Sequence, residues 1–305
     1  MFFGTAEFAV PSLEQLVACR HAVVMCVTQP DRPQGRGLAP APSPVKRAAL
    51  QFGLPLAQPE RVERSGFASL AADVGVTVSY GQLIRQDLLA LPRYGMLGVH
   101  PSLLPKYRGA APVAWTILQG DTATGVTIFR LNERLDAGDI LLQEASPITP
   151  GDDAEALSKL LAGQGAALLV RGLDLLASGR AQWRPQDESH ASLAPKLTKA
   201  QGHVDWRATA QELERLVRAT VPWPGAVTAW HGQPLKILAA SVGRAEDGVP
   251  PGTVVAVGET VAVATGQGTL EITDVQPAGK RRMTIKEFLA GHPISVGERL
   301  GGDIT

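Results

Sequence analysis

His100 and the two aspartates at 136 and 139 are the residues in this chain best placed to do chemistry. The histidine stands in "YGMLGVHPSLLP", at the end of an apolar run, with Pro101 directly after it and Pro105 close behind. An open α/β sheet binds its ligands beyond the carboxyl ends of its strands, and two prolines hold the chain there in one direction. A packed residue capping a strand end is the plainer alternative. Asp136 and Asp139 lie in "LNERLDAGDILL", a glycine-containing turn that follows the apolar run "GVTIF". A carboxylate in that turn could face the imidazole, orient the ring and stabilise its protonated form, as an acid/base pair requires. His100 with Asp136 is the candidate pair. A turn aspartate that bonds its own backbone is the competing account, and spacing alone does not choose between them.

The elements that must carry such a pair follow from pattern. "AVVMCVT" (22–28) and "GVTVSYG" (75–81) are β-branched runs, each behind a helix-like stretch, "VPSLEQLVACR" and "ERSGFASLAADV". That alternation builds a parallel α/β sheet. Ser43 followed by Pro44 reads as a helix start, and Asp152 and Asp153 open a long amphipathic run to Leu176 that stops at Gly179. Residues 183–203 are polar and turn-rich and read as a linker. After the helical "TAQELERLVRAT" come "AVTAWHG", "PLKILAASV", "GTVVAVG", "TVAVATG" and "GTLEITDVQPAG", short strands parted by Gly or Pro at barrel-like spacing. The reading is therefore an α/β domain over 1–182, a linker over 183–203 and a small β-barrel over 204–305.

Composition narrows the class. In 305 residues, 29 basic and 29 acidic side chains cancel, so no global field announces a nucleic-acid partner and any such partner must be held by local patches. Cys19 and Cys26 stand in no metal-ligand spacing, which suits a reducing, cytoplasmic setting and argues against a structural zinc. The apolar runs are short and interrupted, so no membrane partner is expected. "GTAEF" lacks the G-x-G-x-x-G fingerprint, so no dinucleotide is implied.

The chain resembles the methionyl-tRNA formyltransferases of the folate-dependent formyltransferase family, through "FFGTAEFAVPSLEQL", "VTQPDRPQGRG", "PSPVK", "VHPSLLPKYRGAAPV", "LDAGDIL", "APKLTK", "PWPGA" and "QPAGKRRM" in that order. The resemblance implies a Rossmann-like α/β formyltransferase domain with a mostly parallel sheet, then an OB-like C-terminal barrel. It implies transfer of the formyl group of 10-formyltetrahydrofolate, as co-substrate, to the α-amine of initiator methionyl-tRNA, with no metal and with the protein acting as a monomer. His100 matches the family's histidine, Asp136 its reacting carboxylate, and Leu104–Pro105 the place of a cis peptide. Folate is then expected along Gln82, Leu83 and Ile84, with Leu89 and Met96 nearby and Ser102, Leu103, Leu104 and Pro105 beside the reacting end. Sheet core is the alternative for Leu89 and Met96. Transfer RNA is expected at Arg36 and Lys46 in the proline-rich loop and at Lys280, Arg281 and Arg282 in the barrel.

Three departures accompany the likeness. Gly98 stands where the family has an asparagine that can donate to the formyl oxygen, and losing one such donor typically costs ~2.7–4 kcal/mol, or about 10²–10³ in rate. A water or another side chain donating instead, a slow or inactive homologue, and an error or engineered change are the explanations left open. Arg134 replaces a common glycine and Asn132 a frequent aspartate beside the catalytic turn. Family members also begin a few residues before "FFGT", which leads to the expectation of a start placed too late, or of a less stable protein if Met1 is the true start. Two alternative functions are a formyltransferase for a small amine or nucleotide sugar, and a weakened tRNA- or folate-binding homologue.

Overall fold

The computed structural model describes residues 1–34, 39–244 and 248–302. They fall into two compact units: Met1–Pro112, Ala123–Ile148 and Ser158–Pro195 form one, and Val113–Thr122, Thr149–Leu157 and Lys196–Thr305 the other.

The first unit is built on a seven-stranded sheet in the order Ile140–Pro147, Ala123–Arg130, Met96–His100, Gly75–Val78, Phe2–Gly4, Cys26–Val27, Leu56–Ala57. The five strands from Met96–His100 to Leu56–Ala57 pair in parallel, and the two beyond Met96–His100 are antiparallel. Every residue of Met96–His100 is buried, as expected of a strand with both faces covered. His100 ends that strand, where parallel pairing gives way to antiparallel pairing. Phe3, Phe67 and Tyr80 meet edge to face at 5.6–5.8 Å between centroids in the core beneath it. Such aromatic contacts supplement the area each ring buries.

Local signals account for most elements. Ser43 caps the helix Pro44–Gln51 by accepting from Lys46 N at 3.0 Å, and Asp153 receives Ala156 N at 2.8 Å at the head of Ala154–Ala177. That helix has 24 residues and contains an 18-residue window of mean hydropathy 1.4, enough by length and composition to cross a membrane, and half of that window is buried in the protein. Two expected elements are shorter than their patterns. In "AVVMCVT" only Cys26–Val27 joins the ladder, pairing with Phe2–Phe3, and Phe2 N donates to Met25 O just before it. In "ERSGFASLAADV" only a 3-10 turn forms, Arg64–Gly66, since a glycine inside a short helical run costs about 1 kcal/mol relative to alanine.

The Met1 amine donates to Val74 O at 2.9 Å, and burial lowers its pKa to about 6. A cavity of about 300 Å³ lies beside it, lined by Met1, Phe2, Leu16, His21, Asp73 and Leu173 among others, and by neither His100 nor Asp136.

In the second unit the strands Ala226–Trp230, Gln233–Gly243, Thr269–Pro277, Val261–Ala264 and Val254–Val257 follow one another in antiparallel order, with Met283–Thr284 added to Thr269–Pro277. A path of this kind has two free edges. They are bridged by residues 298–301: Val254 N donates to Glu298 O, Leu300 N to Gly252 O and Gly301 N to Ala229 O, each at 2.8 Å. Trp206, Leu213, Val217, Ile237, Val263 and Phe288 fill the interior, giving the small barrel that the strand spacing predicts and that the family resemblance describes as OB-like.

Candidate active site

His100 is held by the loop that follows it. Its Nε2 lies 2.8 Å from Tyr107 O. A carbonyl only accepts, so Nε2 carries the proton and donates, which leaves Nδ1 as the ring atom free to gain or lose one. Nδ1 faces Asp136 Oδ2 at 3.7 Å, and both side chains are largely buried. That separation is too long for a direct hydrogen bond, so the carboxylate faces the ring nitrogen without contacting it. The ring of Phe129 meets the imidazole edge to face at 6.4 Å. The loop itself is pinned by Thr127, whose Oγ1 donates to Ser102 O at 2.7 Å and accepts from Leu104 N at 3.1 Å and Gln143 Nε2 at 2.9 Å. Leu104–Pro105 is cis.

Asp136 adopts a left-handed backbone, φ 49°, an uncommon state for a side-chain-bearing residue and one that concentrates at functional sites. Its Oδ2 accepts from Gly109 N at 2.8 Å. Gly138 in the same turn has no room for a side chain, because a Cβ there would collide with the Arg130 carbonyl. The turn is also gripped from outside: Gln186 Nε2 donates to Asp136 O at 2.8 Å and to Gly138 O at 2.7 Å. Gln186 Oε1 in turn accepts from Arg108 Nε and Nη2. Arg108, itself buried, pairs with Glu188, which also accepts from Arg134 Nη2 at 2.7 Å.

These two arginines, Arg108 first, hold the Glu188 carboxyl at about 2 against an ordinary 4.5. A carboxyl whose pKa is lowered on folding stabilises the protein fully above its unfolded value, and that contribution disappears as pH falls through the folded one. Melting of the unaltered chain and of Glu188→Gln is therefore expected to differ at neutral pH and to converge as pH drops from about 4.5 toward 2. Circular dichroism melts across that range check it.

The other residues expected from sequence are placed as follows. Gly98 sits mid-strand opposite Phe129, and a Cβ there would lie against Phe129 Cε1, 2.7 Å from Phe129 Cζ and 2.8 Å from Leu131 Cδ1. The room that a glycine leaves is thus filled by an aromatic ring and is closed to a bridging water on that face. Gln82 is engaged with its own surroundings, accepting from Val62 N and donating to Pro59 O, while Leu83 is 81% exposed. Ile84, Leu89 and Met96 belong to the buried cluster around Phe3 and Leu88. Ser102 donates to Lys106 O at 2.6 Å, Leu103 is half-buried, and Leu104 is buried. Lys46 is paired bidentately with Asp31 at 2.8–2.9 Å. Arg281 pairs with Glu287 and Arg282 with Asp274, whereas Lys280 has no acidic partner among the described residues. Arg36 lies outside the described residues.

Sequence reasoning missed Arg108, Thr127, Gln186, Glu188 and the role of Phe129. Gln186 and Glu188 sit in the segment read as a linker, which carries a 3-10 turn, Glu188–His190, and a short strand, Leu193–Ala194, paired with Arg108–Gly109.

Comparison with known proteins fits this arrangement. The chain is 46% identical to the methionyl-tRNA formyltransferase of Roseiflexus castenholzii over 99% of its own length and 98% of that protein. It is 47% identical to the same-named protein of a Roseiflexus species, strain RS-1, over 99% and 94%. In structure it resembles an N-formyltransferase from Helicobacter canadensis in complex with folinic acid and dTDP-3-aminofucose, with TM-score 0.67 and 16% identity over 90% of this chain and 98% of that one. Residues 1–173 match the family described as formyl transferase, and residues 196–293 its C-terminal domain. With both parts matched in order, and with relatives this similar along its whole length, the chain belongs to the formyl transferase family.

Proposed function

We infer that this protein transfers the formyl group of 10-formyltetrahydrofolate to the α-amine of initiator methionyl-tRNA. The observation that carries the reading is His100 Nδ1 facing Asp136 Oδ2 at the carboxyl end of the strand where the sheet changes from parallel to antiparallel, in a chain 46–47% identical to methionyl-tRNA formyltransferases. The folate supplies an activated formyl carbon. The Ser79–Ile84 loop suits its ring system, since it leaves the adjacent parallel strand Gly75–Val78 and turns through left-handed residues at Ser79 and Gly81 to present Leu83 to solvent. When the amine attacks, a proton must leave the attacking nitrogen and another must reach the leaving one. His100 Nδ1 holds or passes that proton, its Nε2 stays committed to Tyr107 O, and the Asp136 carboxylate faces the same Nδ1. An imidazolium there also opposes negative charge developing on the formyl oxygen.

The likeness to the Helicobacter canadensis enzyme is one of fold at 16% identity and does not favour a sugar substrate. The test is transfer of labelled formyl from 10-formyltetrahydrofolate to methionyl-initiator tRNA and, in parallel, to amino sugars. Label on the amino sugar alone would overturn the reading.

For the nucleic acid, Lys280 matters most, since of the three barrel cations expected from sequence it is the one with no acidic partner among the described residues. Lys280→Ala is expected to weaken tRNA binding and to reduce the slope of log K against log salt by about 1. Arg281 and Arg282 contribute less, since Glu287 and Asp274 compete with phosphate for them. Lys46→Ala is expected to act mainly by freeing Asp31. Filter binding over a salt series checks all four.

A further inference from the structure

We propose that Gln186 is the positioning residue for Asp136, with its own orientation set by the buried Arg108. The inference rests on the functional reading above for its kinetic consequence, and on geometry alone for its structural one.

The catalytic turn is held at two backbone carbonyls. Gln186 Nε2 spends both of its protons there, on Asp136 O and Gly138 O. The opposite end of the same amide is equally occupied, because Oε1 accepts from both Nε and Nη2 of Arg108. The amide therefore has one allowed orientation. Flipped, it would set its protons against a guanidinium, which has only donors, and its oxygen against two carbonyls, which have only acceptors. Arg108 also donates to Glu188 through Nη1 and Nη2, so four of its five N–H groups are engaged by these two residues. The backbone of residues 108–109 enters the same circuit, since Gly109 N donates to Asp136 Oδ2 and pins the carboxylate from the other side. Asp136 is thus held through its main-chain oxygen by Gln186 and through its carboxylate by Gly109. Release at the first point lets a residue at φ 49° relax toward an ordinary backbone and swing its carboxylate away from His100 Nδ1. Displacement by about 1 Å is enough to cost on the order of 10² in rate.

Gln186→Glu is the discriminating change. It keeps the length of the side chain and its attraction to Arg108, and replaces the two donated protons by an oxygen that repels both carbonyls. Formyl transfer by this variant is expected to show kcat reduced about 10- to 100-fold, with KM for folate and tRNA within about twofold and the melting temperature lowered by the loss of two hydrogen bonds but still showing one cooperative transition. The amide of Gly109 is expected to exchange with solvent at least ~10-fold faster, since its acceptor has moved, while the ladder amides of Val99 and Ile128 keep their protection. Gln186→Met, of similar length with no donor, is judged on the same readings should Gln186→Glu fail to fold. Unchanged kcat with unchanged Gly109 exchange would overturn the proposal. So would a uniform loss in which melting, both KM values and the ladder amides shift together, because that is a structural role only. If the unaltered chain does not formylate methionyl-tRNA, the functional reading fails, and the Gly109 exchange rate still decides whether Gln186 positions the carboxylate.

Discussion

His100→Gln is expected to lower kcat about 10²- to 10⁴-fold while folate and tRNA still bind, the range for loss of a positioned proton-transfer group. Glutamine can still donate to Tyr107 O, so the loop after His100 stays in place, but it has no basic atom to set where Nδ1 faces Asp136 at 3.7 Å. Asp136→Asn is expected to fall within the same range. The amide would keep one oxygen for Gly109 N and lose the negative charge that faces His100 Nδ1. Because the two residues act as one unit, combining the changes is expected to cost little more than the worse single one. Single-turnover measurements with preloaded folate separate this from a binding defect. Two fully active single variants would remove the pair from the mechanism.

Gly98→Asn, taken alone, is expected to damage the protein. The residue looks like a simple lost donor in the sequence, but its Cβ position is closed by Phe129 and Leu131, and Phe129 is itself buried among Leu104, Ile140 and Leu131. Forcing a side chain into a filled site typically costs ~1–3 kcal/mol, and displacing the Phe129 ring also disturbs its edge contact with His100. The double change Gly98→Asn with Phe129→Leu removes the ring atoms that stand in the way. It is expected to melt above the single Gly98→Asn variant and to exceed the unaltered chain in kcat by about 10²–10³, the worth of one oxyanion donor. A double variant that folds well and turns over no faster would show that another group already donates to the formyl oxygen. Melting temperatures and kcat for the four chains of this cycle decide it.

What the sequence made legible follows the range of the forces involved. Local rules placed the Ser43 and Asp153 caps, the long helix and all five main barrel strands, since each depends on neighbours a few residues away. The candidate acid/base pair was also visible, because a histidine at a strand end and an aspartate in a glycine turn each have a local signature. The support around that pair was not. Gln186 reaches Asp136 across 50 positions of sequence, and Arg108 reaches Glu188 across 80, from a stretch whose polarity reads as solvent-exposed linker. The fit of Phe129 over Gly98 depends on cross-strand register, which no periodicity in either strand reveals.

The bridge that residues 298–301 make between Ala229 and the Gly252–Val254 stretch also sets an order on synthesis. While the ribosome is still making those residues, the outer edge of Val254–Val257 and the Ala229 end of Ala226–Trp230 lack these partners, although Val227 O is already met by Val204 N. Bare strand edges on a nascent polypeptide recruit other strands, including those of neighbouring copies. A message that stalls or truncates translation before residue 301 should therefore yield an aggregation-prone product even though nearly all of the barrel's apolar interior has been made.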